Sequence, residues 1–150
     1  MKRIITDSDK ETRNLGNDVA KKLRGGEVIC LDGQLGGGKT TFTQGLLEGI
    51  GAKGPYTSPT FVVMKHYDLL EDCDGECDIR NVYHVDAYRI NAGDILELGW
   101  EEFAGDKKSV VIVEWPEKIK RALPEDALWI RFSWLNENSR EIVFDEDSLL

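Results

Sequence analysis

Residues 33–40, Gly-Gln-Leu-Gly-Gly-Gly-Lys-Thr, constrain this chain more than any other segment. They satisfy the Gly-x-x-x-x-Gly-Lys-Thr pattern at every fixed position, and that pattern makes a phosphate-binding loop when it joins a strand to a helix. The flanks supply both. Val28-Ile29-Cys30-Leu31 is a short unbroken apolar run, as expected of a strand buried on both faces of a sheet. Thr40 to Ile50 has helical character and is closed by Gly51. Glycines let successive N–H groups turn inward around phosphate oxygens, where a side chain would collide. The new helix adds its dipole and unpaired N–H groups. Lys39 then offers a mobile positive charge to the β- and γ-phosphates, and the Thr40 hydroxyl offers a magnesium ligand. The expected ligand is a purine nucleoside triphosphate with Mg2+.

Outward from this loop, the chain alternates strand and helix signals. Ser8 followed by Glu11 makes a capping-box start, and Leu15, Val19 and Leu23 form one apolar stripe before Gly25-Gly26. Phe61 to Tyr67, Asn81 to Ala87 and Ser109 to Glu114 read as strands, the last of them buried. Asp94 to Phe103 reads as a helix interrupted near Gly99, and Glu117 to Leu123 as a short one ended by Pro124. Leu128 to Trp134 and Glu141 to Phe144 finish the chain as strands with no helix between them. The expectation is α/β, with residues 1–150 forming a single P-loop NTPase domain. Its central sheet is mainly parallel, with antiparallel strands added in the middle and late, and flanked by helices.

Composition sets the boundaries. The chain is 41% hydrophobic, enough for a real core at 150 residues. Its aliphatic stretches are too short and too interrupted to span a bilayer, and the N-terminus lacks a secretory signal pattern. A cytoplasmic location is the expectation. The net charge of −9, with no block of Lys and Arg, argues against unaided binding of nucleic acid. Acidic residues crowd the stretch from 68 to 81, which reads as an exposed connection. Cys30 reads as a core residue. Cys73 and Cys77 lie in the acidic stretch as two reduced thiols rather than a metal pair, since four zinc ligands are not at hand.

Three further segments are candidates for the site. A P-loop needs a second carboxylate at the end of a neighbouring buried strand, and Val110-Val111-Ile112-Val113-Glu114 provides Glu114 for the metal. In Tyr83 to Arg89, period-two alternation puts His84, Asp86 and Tyr88 on one face. That face is either a polar site or a solvent face beside a sheet edge. Thr57-Ser58-Pro59-Thr60 carries three hydroxyls beside a proline, as either a γ-phosphate-sensing segment or a plain turn.

These signals occur together, in one order, in a known family. Glu11-Thr12 with Leu15-Gly16, the loop from Gly33 to Phe42, Ser58-Pro59-Thr60-Phe61, His84-Val85-Asp86-Ala87-Tyr88-Arg89 and Val113-Glu114-Trp115-Pro116 resemble the TsaE (YjeE) family. Its members are small bacterial ATPases required for threonylcarbamoyladenosine modification of tRNA. The resemblance implies ATP hydrolysis that is slow in isolation and work in complex with TsaD and TsaB, which would carry the tRNA contacts. It implies that Gly33, Leu35, Gly36, Gly37, Gly38, Lys39, Thr40 and Thr41 bind ATP. Thr40 and Glu114 would hold magnesium, and Thr60 and Asp86 would respond to the γ-phosphate or prepare the attacking water. It puts Thr12 near the adenine and Trp115 beside the site. Gly37 stands where the family often has alanine, Val62-Val63-Met64 is less typical, and the acidic connection is longer than usual.

Other nucleotide-binding readings remain beside it. A small-molecule kinase on this scaffold needs an arginine-bearing lid, and Arg89 is the only arginine in a candidate motif. A GTPase needs an Asn-Lys-x-Asp segment, which the chain lacks. A non-enzymatic adaptor would use ATP only to set its shape.

Overall fold

The computed structural model describes residues 1–57, 59, 63–69 and 78–150. Its centre is a pair of parallel strands with no exposed side to spare. All of β5 (Ser109–Glu114) and the first four residues of β2 (Val28–Gly33) are buried. Such runs suit strands covered by helices on both faces. Five more strands complete a single sheet: β1 (Lys2–Thr6), β3 (Met64–Asp68), β4 (Asn81–Asp86), β6 (Leu128–Trp134) and β7 (Arg140–Phe144). The order is β1-β7-β6-β2-β5-β4-β3. Strands β6, β2, β5 and β4 are parallel, while β3, β7 and β1 each add antiparallel to their neighbour. The mainly parallel α/β sheet with antiparallel additions is as expected from the sequence.

One face is covered by α1 (Asp9–Ala20) and α2 (Lys39–Ile50). Their contact is unusually close. A Cβ at Gly16 would lie 2.2 Å from the Phe42 carbonyl oxygen, and one at Gly45 1.9 Å from that of Arg13. Only glycine permits this approach, and it fixes α2, with the loop at its head, against α1. Beneath them Phe42 is fully buried, edge-on to Phe132 and Phe144 at 5.3 and 6.4 Å. Such pairs add about 0.5–1.5 kcal/mol each beyond area burial. The other face carries shorter pieces: α3 (Ala92–Glu97), α4 (Trp100–Phe103) and a 3-10 segment, Pro116–Ala122. Gly99, at φ +84°, separates α3 from α4 where the sequence places its interruption. Burial pushes the Cys30 thiol up to about 12, so this cysteine is the inert core residue it was expected to be.

The structure departs from the sequence reading in three places. Residues 2–6 form edge strand β1, which no motif announced; its pairing with β7 is what makes it a strand. Helix α1 ends at Ala20, so Leu23 joins the core from beyond the helix. The stretch from 68 to 81 is not wholly an exposed connection. Leu69 and Ile79 are buried, and the Leu69 N–H donates to the Arg80 carbonyl at 2.8 Å. Cys73, Cys77, Ser58, Thr60 and Phe61 lie outside the described residues. Among the described residues, no helix is long and apolar enough to cross a membrane.

Candidate functional site

The two long helices begin in opposite ways. At the start of α1 the Ser8 side chain accepts from the Glu11 N–H, and Asp9 and Glu11 supply negative charge to the first turn. That terminus satisfies itself. Helix α2 begins at Gly38, whose φ of +99° few other residues would adopt, with no side-chain cap and no acid in its first turn. Its positive end is left for an external anion.

Lys39 heads this helix and is only 6% exposed. Its ammonium donates to the Gly33 carbonyl and lies 4.4 Å from the centre of the Trp115 ring, a cation–π contact that holds the charge over the loop. Trp115 takes this place through a left-handed backbone, φ +58°, the only non-glycine in that region among the described residues. Such a conformation costs about 1–2 kcal/mol in an ordinary L-residue, and strain of this kind gathers at functional sites.

Parallel pairing delivers the acids. Glu114, the last residue of β5, is in register with Leu31 on β2 and with Asp86 on β4. Glu114 and Asp86 therefore sit side by side at the carboxyl ends of adjacent strands, next to the loop that follows β2. This is the crevice where open α/β sheets bind ligands. One oxygen of Asp86 accepts from the Tyr88 N–H at 3.0 Å. His84 is buried rather than on a solvent face, with Nε2 3.3 Å from Glu114 Oε2. That approach is close but not aligned as a hydrogen bond, and neither ring nitrogen has a hydrogen-bond partner among the described residues.

The residues named from sequence thus converge. Leu35, Gly36, Gly37, Gly38, Lys39, Thr40, Thr41, Asp86, Glu114 and Trp115 line one cleft of about 530 Å3. Gly33 lies behind it as the acceptor for Lys39. Thr12 does not line it. Its hydroxyl is engaged with Thr6 at 2.7 Å and with the Ser8 carbonyl, and its methyl packs beneath Gly38. The cleft also contains two residues the sequence did not single out, Asp9 and Arg140. Neither belongs to a motif near the loop; both arrive through the fold.

A larger depression of about 990 Å3 opens at the opposite end of the strands. Its rim mixes Lys22, Arg24 and Arg121 with Glu27, Glu101 and Asp126, and Glu27 is spent on the N–H groups of Arg24 and Gly25. It has no uncapped long helix and no charge focus comparable to Lys39.

A buried parallel strand, a glycine loop, an uncapped helix and acids on the adjoining strand ends define a P-loop α/β protein. The profile of the family described as threonylcarbamoyl adenosine biosynthesis protein TsaE matches residues 6–142, and the chain belongs to that family. It is 42% identical over 121 residues to the tRNA threonylcarbamoyladenosine biosynthesis protein TsaE of Streptomyces coelicolor, covering 79% of this chain and 76% of that one. The protein of the same name from Bacillus subtilis is 35% identical over 139 residues, with 93% and 82% covered. The fold is similar to the crystal structure of YdiB from Bacillus subtilis, with a TM-score of 0.72 and 32% identity over 95% of this chain and 83% of that one.

Proposed function

We propose that this protein binds ATP with Mg2+, hydrolyses it slowly, and serves threonylcarbamoyladenosine modification of tRNA in a cytoplasmic complex with TsaD and TsaB. The observation that carries the reading is the register of Asp86 beside Glu114 at the strand ends, next to Lys39 and the uncapped start of α2.

The residues present fit the ligand. Gly36 and Gly38, at φ +79° and +99°, shape a loop whose N–H groups suit phosphate oxygens. Thr40 and Glu114 are hard oxygen donors, and Mg2+ takes one or two such protein ligands and fills its shell with phosphate and water oxygens. A metal held by Thr40 and Glu114 would supply charge neutralisation for the phosphates. Lys39 shifts its ammonium from the Gly33 carbonyl to phosphate. Asp86 is held by the Tyr88 N–H and orients the attacking water or takes its proton. Trp115 excludes solvent over Lys39. Thr60, outside the described residues, is the hydroxyl proposed to read the γ-phosphate. The acidic chain leaves tRNA contact to its partners.

Reconstitution with TsaD, TsaB and tRNA tests the reading. Modification through many cycles is expected with the natural chain and lost with Asp86→Asn. Normal multiple turnover with that variant would mean that ATP acts only to shape an adaptor.

A further inference from the structure

The roles assigned above occupy one end of the cleft. Glu114, Asp86, Tyr88 and Trp115 all come from β5, β4 and the segments that follow them. The sheet order places β6, β7 and β1 on the other side of β2. A triphosphate with its γ end at Glu114 and Asp86 therefore directs its nucleoside toward Asp9 and Arg140. A purine is a flat aromatic ring and binds best against another flat group. Among the described residues, the aromatic side chains lining the cleft are Trp115 and Tyr88, packed together beside Lys39 on the γ-phosphate side. Among the same residues, the flat group at the nucleoside end is the Arg140 guanidinium.

Arg140 is held as such a role requires. Its Nη1 donates to the carbonyls of Asn136 at 2.7 Å, Ser139 at 3.1 Å and Glu137 at 3.4 Å, which sets the plane of the group. Its stem runs along the glycine loop, with Cγ 3.4 Å from where a Gly38 Cβ would stand. Its Nε is buried and has no partner among the described residues. Guanidinium planes stack on aromatic faces, and a preset plane loses little freedom in doing so.

We propose that Arg140 is a nucleoside-binding residue, its guanidinium stacking on the purine ring of the bound triphosphate; this rests on the ATP reading above. Calorimetry on the full chain with Mg-ATP and with Mg-tripolyphosphate, which has no base, separates the two ideas. Arg140→Ala is expected to weaken Mg-ATP about tenfold while leaving Mg-tripolyphosphate within about twofold. Arg140→Lys can still donate to the turn carbonyls, which guards against a folding defect, but it lacks the plane and should recover little of the loss. Melting of each variant without ligand confirms that it is folded. Equal weakening of both ligands would make Arg140 a phosphate or loop residue and overturn the proposal. So would unchanged Mg-ATP affinity, or full recovery with lysine. A natural chain that binds neither ligand would refute the nucleotide reading itself, and this proposal with it.

Discussion

The two flanks of the glycine loop are built by different means. On the β5–β4 side, parallel strands run toward the cleft, and Glu114 and Asp86 are simply their last residues, aligned by register. On the β6–β7 side an antiparallel hairpin turns back at Asn136–Ser139, so Arg140 arrives as the first residue of its strand. Parallel strands repeat one grammar, an apolar run ending in a polar residue at the ligand crevice. A hairpin has no such rule, and what it contributes depends on where its turn lands. In the function proposed here the acid flank is the chemical end and the arginine flank the recognition end.

The division can be broken by experiment. Asp86→Asn should lower ATP hydrolysis about 100-fold or more with ATP affinity within about twofold, as phosphate release and calorimetry would show. Loss of both together would make the acid flank a binding surface. Lys39→Ala, at the boundary of the flanks, should weaken Mg-ATP about 10- to 100-fold, since a charge-assisted contact is removed. Unchanged affinity would remove the loop from nucleotide binding altogether. Glu114→Ala should weaken binding about tenfold with Mg2+ and about twofold or less in chelator. An equal effect in both conditions would make Glu114 a structural residue rather than a metal ligand.

Most of the acid flank was legible from the sequence because its signals are local. The glycine loop, its strand and its helix are contiguous, and Val110 to Glu114 carries its own burial pattern. Alternation placed His84 and Asp86 on one face; burial of His84 needed α2 and β5 in place. Thr12 shows the reverse. The resemblance puts it at the adenine, whereas the fold commits its hydroxyl to Thr6 on β1, a strand with no signal of its own.

The sequence by itself determined the strand–loop–helix unit, the uncapped start of α2 and the acid at the end of β5. Each depends on residues within one or two turns of chain, where sterics and hydrogen bonding act without help. Tertiary structure alone decided that Asp86 lies beside Glu114, that Trp115 covers Lys39, and that Arg140 and Asp9 close the other end. Those placements follow from strand order and from the close glycine contact of α1 with α2. They bring together residues far apart in the chain, and local pattern holds no record of such distances.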